Sequence, residues 1–149
     1  MARYSVAGDK GSASVFQIVG TNNSITLPRR QKIYDYMVGA GVEAPSDSNH
    51  AQQLLRVTAD PASAAVVTPD PLDPADQASL MVGFDTVVTD AAGTQLVMDI
   101  GLNFRASYRW VAAPGSEIVV AATDNLGIAG RLGAASTALF HATLLAEEQ

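Results

Sequence analysis

The sequence predicts an all-β fold: a single-domain antiparallel β-sandwich or jelly roll, spanning 1–149, with about eight or nine short strands and one short helix. Three observations predict it. The 149 residues fit one domain, long enough to bury a core without a metal or disulfide staple. Runs rich in β-branched and aromatic residues recur along the chain, each closed by turn residues. Several of those runs alternate apolar with polar residues, the period of a strand with one face buried. A barrel with Greek-key connections is the alternative on the same pattern.

The elements follow in order. Residues 1–13 read as an extended N-terminal arm. Ser14 to Val19 alternates, with Phe16 and Ile18 on one side and Gln17 between them, and Gly20 to Ser24 (GTNNS) carries turn chemistry. Gln31 to Val38 (QKIYDYMV) is a strand stopped by GAG, and after the polar loop APSDSNH comes a strand from Gln53 to Thr58. Residues 59–76 hold four of the chain's seven prolines. Proline cannot donate to a central ladder, so this is a long surface connection with at most an edge strand at Ala65 to Thr68. DPADQASL is the one helical piece, with Asp73 as N-cap, Pro74 at the first helical position and Asp76 near the positive end of the dipole. Met81 to Thr89 is a strand turned by DAAG, Gln95 to Leu102 is another, and Thr137 to Leu145 is the last. GIAGRLG at 127–133 does not fit the GxGxxG phosphate pattern and reads as a flexible turn between strands.

The clearest element is the stretch from Leu102 to Val120. Leu102, Phe104, Ala106, Tyr108, Trp110 and Ala112 fall on one face, and Asn103, Arg105, Ser107 and Arg109 on the other. Pro114-Gly115 suits a type II turn, proline presetting the first central residue and glycine supplying positive φ at the second. A two-residue loop then makes a hairpin in which Trp110 faces Val119 and Arg109 faces Val120. Val111, Ile118 and Val120 fall on the Arg109 face, making the hairpin apolar on both sides near its tip. A sandwich buries only one side. Either a neighbouring subunit covers the other, or a loop of the same chain does, or the register slips by one.

Composition and motifs narrow the function. Charged residues make up 16% and hydrophobic residues 48% of the chain, where about 25% charged is ordinary. With so little charge to cover a surface, part of that surface is expected to sit against other subunits. The net charge is −6 and the only lysines are Lys10 and Lys32, which argues against nucleic acid as a partner. The absence of cysteine excludes a disulfide framework and a thiolate zinc site. The first residues lack the apolar run of a secretory leader, and no run approaches the roughly 18 residues that span a bilayer. We therefore expect a soluble protein with no membrane partner, used without export.

No GxSxG elbow or triad spacing is present. His50, in SNHAQ, has no second ligand near it and is expected in solvent; His141 alternates with Leu139 and Thr143 as an ordinary strand histidine. Asp70, Asp73 and Asp76 lack the glycine and closing glutamate of a calcium loop. Asp35, Asp85 and Asp99 sit in strands, and nothing selects a pair of them for glycosidase chemistry. The expectation is a non-enzyme with no catalytic residues, metal or cofactor. Arg29 and Arg30, after Pro28, read either as an anchor for a partner's carboxylates or as the solvated start of a strand.

LPRRQKIYDYMVGAG at 27–41 and FRASYRWVAAPGSEIVVAATDNLGIAGR at 104–131 resemble short structural proteins of tailed-bacteriophage virions. In those proteins an R-R/G-K-I-Y-D segment, a D-P-A-D segment and an R-A-x-Y/F-R-W-V-A-A-P-G segment recur in this order. Here they fall at Arg30 to Asp35, Asp73 to Asp76 and Arg105 to Gly115, and the resemblance covers most of the chain from Leu27 onward. It implies a capsid decoration (cement) protein, made in the host cytoplasm and bound to the outer surface of the head. Its implied partners are the major capsid protein or other virion proteins, with association into homo-oligomers, commonly trimers in such proteins. No catalytic residues come with the resemblance. Two alternatives remain: a neck, tail or head-fibre protein, and a glycan-binding module built on an exposed platform from Tyr34, Tyr36, Tyr108 or Trp110. The residues expected at the interface are Arg29, Arg30, Arg105, Arg109, Val111, Ile118 and Val120.

Overall fold

The computed structural model describes residues 1–10, 17–40, 49–59, 65–87, 95–123, 125–133 and 139–149. These form an all-β sandwich of two antiparallel sheets, each of six strands. Sheet I runs in the order β10 (Ile118–Val120), β3 (Gln31–Ala40), β12 (Phe140–Glu148), β1 (Ala2–Lys10) and β6 (Asp70–Pro71), with β9 (Ser107–Val111) also paired to β3. Sheet II runs β5 (Ala65–Val67), β7 (Met81–Val87), β2 (Gln17–Asn23), β11 (Gly127–Leu132), β4 (Asn49–Val57) and β8 (Gln95–Asn103).

Alternation within the strands builds the core. Tyr4 and Val6 of β1, Ile33, Tyr36 and Val38 of β3, and Phe140, Leu144 and Ala146 of β12 pack with Leu54, Ile128 and Leu132 of sheet II. Burying each large apolar side chain contributes about 1.5–3 kcal/mol. A second cluster of Leu55, Val57, Phe84 and Ala129 uses the opposite parity of sheet II.

Several sequence expectations give way. Twelve strands replace the eight or nine, and no helix forms among the described residues. DPADQASL makes a single turn: Asp73 Oδ1 accepts from the Ala75 N–H at 2.9 Å and Asp76 N–H donates to the Asp73 carbonyl at 2.9 Å. It ends there because the next residues are held to sheet I, with Tyr4 Oη donating to the Gln77 carbonyl and Leu80 N–H donating to Glu148. The expected N-terminal arm is instead β1, a sheet I strand between β12 and β6; residues 11–13 of that arm lie outside those described. The proline-rich 59–76 segment supplies two short edges, β5 on β7 and β6 on β1.

GTNNS is no turn either. β2 continues through Asn23, and Thr21, Asn22 and Asn23 are buried. Hydrogen bonds make the burial of Thr21 and Asn23 tolerable. Thr21 Oγ1 donates to Gln31 Oε1 at 2.9 Å, Gln31 Nε2 donates to Asn23 Oδ1 at 2.7 Å, and Asn23 Nδ2 donates to the Ala121 and Thr123 carbonyls. GIAGRL is the buried strand β11. Its Gly130 is required by packing: a Cβ there would stand 2.7 Å from Tyr36 Oη and 2.9 Å from its ring.

The Leu102–Val120 stretch is not a hairpin. Asn103 Oδ1 accepts from the Arg105 N–H and the Ala106 N–H donates to the Asn103 carbonyl, a turn that moves the chain from β8 in sheet II to β9 in sheet I. The Pro114-Gly115 turn forms as expected, with Gly115 at φ 84° and the Ser116 N–H donating to the Ala113 carbonyl at 2.8 Å. Beyond it, however, β10 resumes along the same partner as β9. Trp110 faces Tyr36, and Val119 faces Lys32. Ile118 and Val120 consequently turn into the core, and neither is available to a neighbour. Tyr108 and Trp110 pack against the core, partly buried.

Candidate interaction surface

The face of sheet I turned away from the core is set by the registers of β1, β12, β3 and β9. These align outward side chains in rows: Ala7, Thr143, Met37 and Arg109; Ser5, Leu145, Asp35 and Val111; Asp9, His141, Gly39 and Ser107. The first two rows mix apolar side chains with one ion pair. Gly39 has no side chain to fill the third. The result is a groove of about 420 Å³, lined in part by Met37, Gly39, Ser107, Arg109, His141 and Thr143.

The ion pair organises this face. Arg109 lies directly opposite Met37 and diagonally from Asp35, a separation that long side chains span. It donates from Nη2 to Asp35 Oδ2 at 2.6 Å and from Nε to Oδ1 at 3.1 Å. This fork is the geometry at which guanidinium holds a carboxylate best. Asp35 is 2% exposed, whereas the Arg109 side chain stays 60% exposed. The hydrogen bond to Asp35, and then its charge, raise the Arg109 pKa above its usual value. Nearby, Arg3 sits 5.5 Å from the centre of the Tyr34 ring and 3.6 Å from Glu147. Burial raises the Tyr34 phenol pKa, against the opposing influence of Arg3.

The structure separates the seven residues expected at an interface. Arg109 and Val111 stand together on this face, Val111 being 57% exposed. Ile118 and Val120 belong to the core. Arg105 is exposed in the turn before β9, and Arg29 and Arg30 are exposed just before β3. Arg29 lines a different hollow, of about 300 Å³, with Tyr4, Asp76 and Glu148. Sequence reasoning missed Met37, Leu145, Thr143 and Asp35 as neighbours of Arg109. Their alternation along β3 and β12 was a signal that they point outward, but only strand order brings them beside β9.

His50 is not the solvated histidine expected. It opens β4 and stacks on Phe104 at 4.5 Å and beside Phe140 at 4.6 Å between ring centres. Both ring nitrogens are buried without a hydrogen-bond partner, and burial lowers its pKa. His141 is exposed on β12. Among the described residues, no group of three or more His, Cys, Asp or Glu is placed to hold a metal ion.

The segments Arg30 to Asp35, Asp73 to Asp76 and Arg105 to Gly115 all bear on sheet I. Arg30 to Asp35 leads into and forms much of β3. Asp73 to Asp76 is the turn after β6, and Arg105 to Gly115 contains β9. The first and third meet in the Asp35–Arg109 pair. No family model, curated protein or solved structure matches the chain.

Proposed function

We propose that this chain is a non-enzymatic structural protein of a tailed-bacteriophage virion, binding the outside of the head shell as a decoration protein through the outer face of sheet I. The observation that carries the reading is the ion pair of Asp35 with Arg109 on that face, which joins two of the segments on which the resemblance to virion proteins rests. Arginine and methionine beside exposed aliphatic side chains suit a protein partner. The partner is the major capsid protein, with further copies of this chain at neighbouring positions on the shell. Repetition over a lattice lets modest single contacts hold the layer, because each added contact is made at high effective concentration.

The test is Val111→Gln, a neutral polar change opposite Asp35, measured by binding to empty heads. Val111 is exposed, so thermal unfolding is expected to stay as in the parent while binding weakens about tenfold, or roughly 1.4 kcal/mol. A folded variant that coats heads as the parent does rules out this face. A protein that binds tails or necks and ignores heads moves the role elsewhere in the virion.

A further inference from the structure

We propose that the edge of β8 left unpaired among the described residues pairs with β8 of a second copy, antiparallel and about a two-fold axis, joining the two second sheets into one. The four sheet edges differ in a way that singles out this strand. β6 has two residues, one of them Pro71, and β5 has three, followed closely by Pro69. β9 and β10 have five and three residues and are split by the Ala112–Glu117 loop. Short strands, proline and interruptions are the devices that stop edges from pairing. β8 is nine residues long, with neither proline nor lysine and a single charge at Asp99, and its one irregularity against β4 is a bulge at Val97, near its start.

Among the described residues β8 pairs only with β4. Leu96 is 51% and Val97 37% exposed, and Met98 and Leu102 touch the core while only partly buried. Another strand laid along this edge from Val97 onward would cover Val97, Met98 and Leu102.

The strand's own pattern selects a second copy as that partner. Directly opposed residues in an antiparallel pair share a face. Centring the two-fold axis on Asp99 sets the two carboxylates against each other. Of the two seven-residue overlaps that avoid this, the one centred on Met98 carries the bulge at Val97 beside its axis, whereas the one centred on Ile100, from Val97 to Asn103, leaves that bulge at its end. Ile100 then meets its copy, Met98 meets Leu102, and Asp99 meets Gly101. A Cβ built at Gly101 has no atom within 4 Å, so Asp99 of the other copy has room there. Apolar residues meet on the core side, and no like charges are directly opposed.

The pairing does not depend on binding to a shell, and the two ideas fail separately. The experiment is sedimentation equilibrium of the full chain, with folding followed by circular dichroism. The expected mass is twice the 15.5 kDa of one chain. Gly101→Asp sets two like-charged pairs across the axis and is expected to weaken the dimer roughly tenfold. Adding Asp99→Lys to that variant turns both pairs into opposite charges and restores the dimer, while either variant stays folded. A monomeric parent, a trimer, a dimer indifferent to Gly101→Asp, or a double variant that does not recover overturns the proposal.

Discussion

Val111 and Val120 make a matched pair, because local alternation puts both on one face of a hairpin and the fold puts them on opposite faces of sheet I. Val120 is 1% exposed and faces the core from β10, and Val111 is 57% exposed on β9. Val120→Ala removes the equivalent of two buried methylenes, about 1.6 kcal/mol of transfer free energy. Incomplete collapse of the cavity adds a few tenths, for a total of about 2 kcal/mol. Val111→Ala should stay within about 0.5 kcal/mol of the parent. In a chain of this size 1 kcal/mol moves the midpoint by roughly 2–4 °C, so Val120→Ala should lower Tm by about 4–8 °C. Thermal unfolding, with urea midpoints at unchanged slope, measures both. Equal costs, or a larger cost at Val111, refute the pairing of β10 with β3 and restore the hairpin register.

Two further outcomes concern polar groups in the core. Gln31→Leu leaves the Thr21 hydroxyl and the Asn23 carbonyl oxygen without their shared partner, and should cost about 2–4 kcal/mol in urea unfolding. His50 gives a pH dependence. Its folded pKa is depressed below 6.5 by burial, so below that pH the unfolded chain binds more protons. The stability it contributes is complete above about 6.5 and is lost as pH falls toward the folded value. Glu148, raised mainly by burial, acts in the opposite sense, losing its contribution as pH rises through its folded pKa. The His50 share is therefore the difference between the parent and His50→Leu, whose urea midpoint should fall less between about pH 7.5 and 5. Parallel profiles contradict the buried, unpartnered imidazole.

What the sequence disclosed is what local chemistry decides. β3, β4, β7, β8 and β12 announce themselves by alternation, the Pro114-Gly115 turn by its residues, and β5 as a short strand amid prolines. What it concealed depends on distant partners. β1 looks like an arm because its alternation runs through small residues, Ser5, Ala7 and Gly8, and its partner β12 is at the other end of the chain. β11 looks like a turn because its glycines make room for packing, as Gly130 does beneath Tyr36, which no local rule reports. GTNN looks like a loop because the side chain that satisfies it, Gln31, is on another sheet. The candidate surface was half legible for the same reason. Arg109 and Val111 are readable from strand period, but Asp35 becomes their neighbour only through the β3–β9 register.

The most direct test of the proposed role is a titration of empty heads, from the phage proposed to encode the chain, with the purified protein, followed by co-sedimentation. The predicted result is saturable binding at a fixed number of copies per capsomer, sharply reduced for Val111→Gln. Protein that remains in the supernatant at every concentration, while still folded, contradicts it.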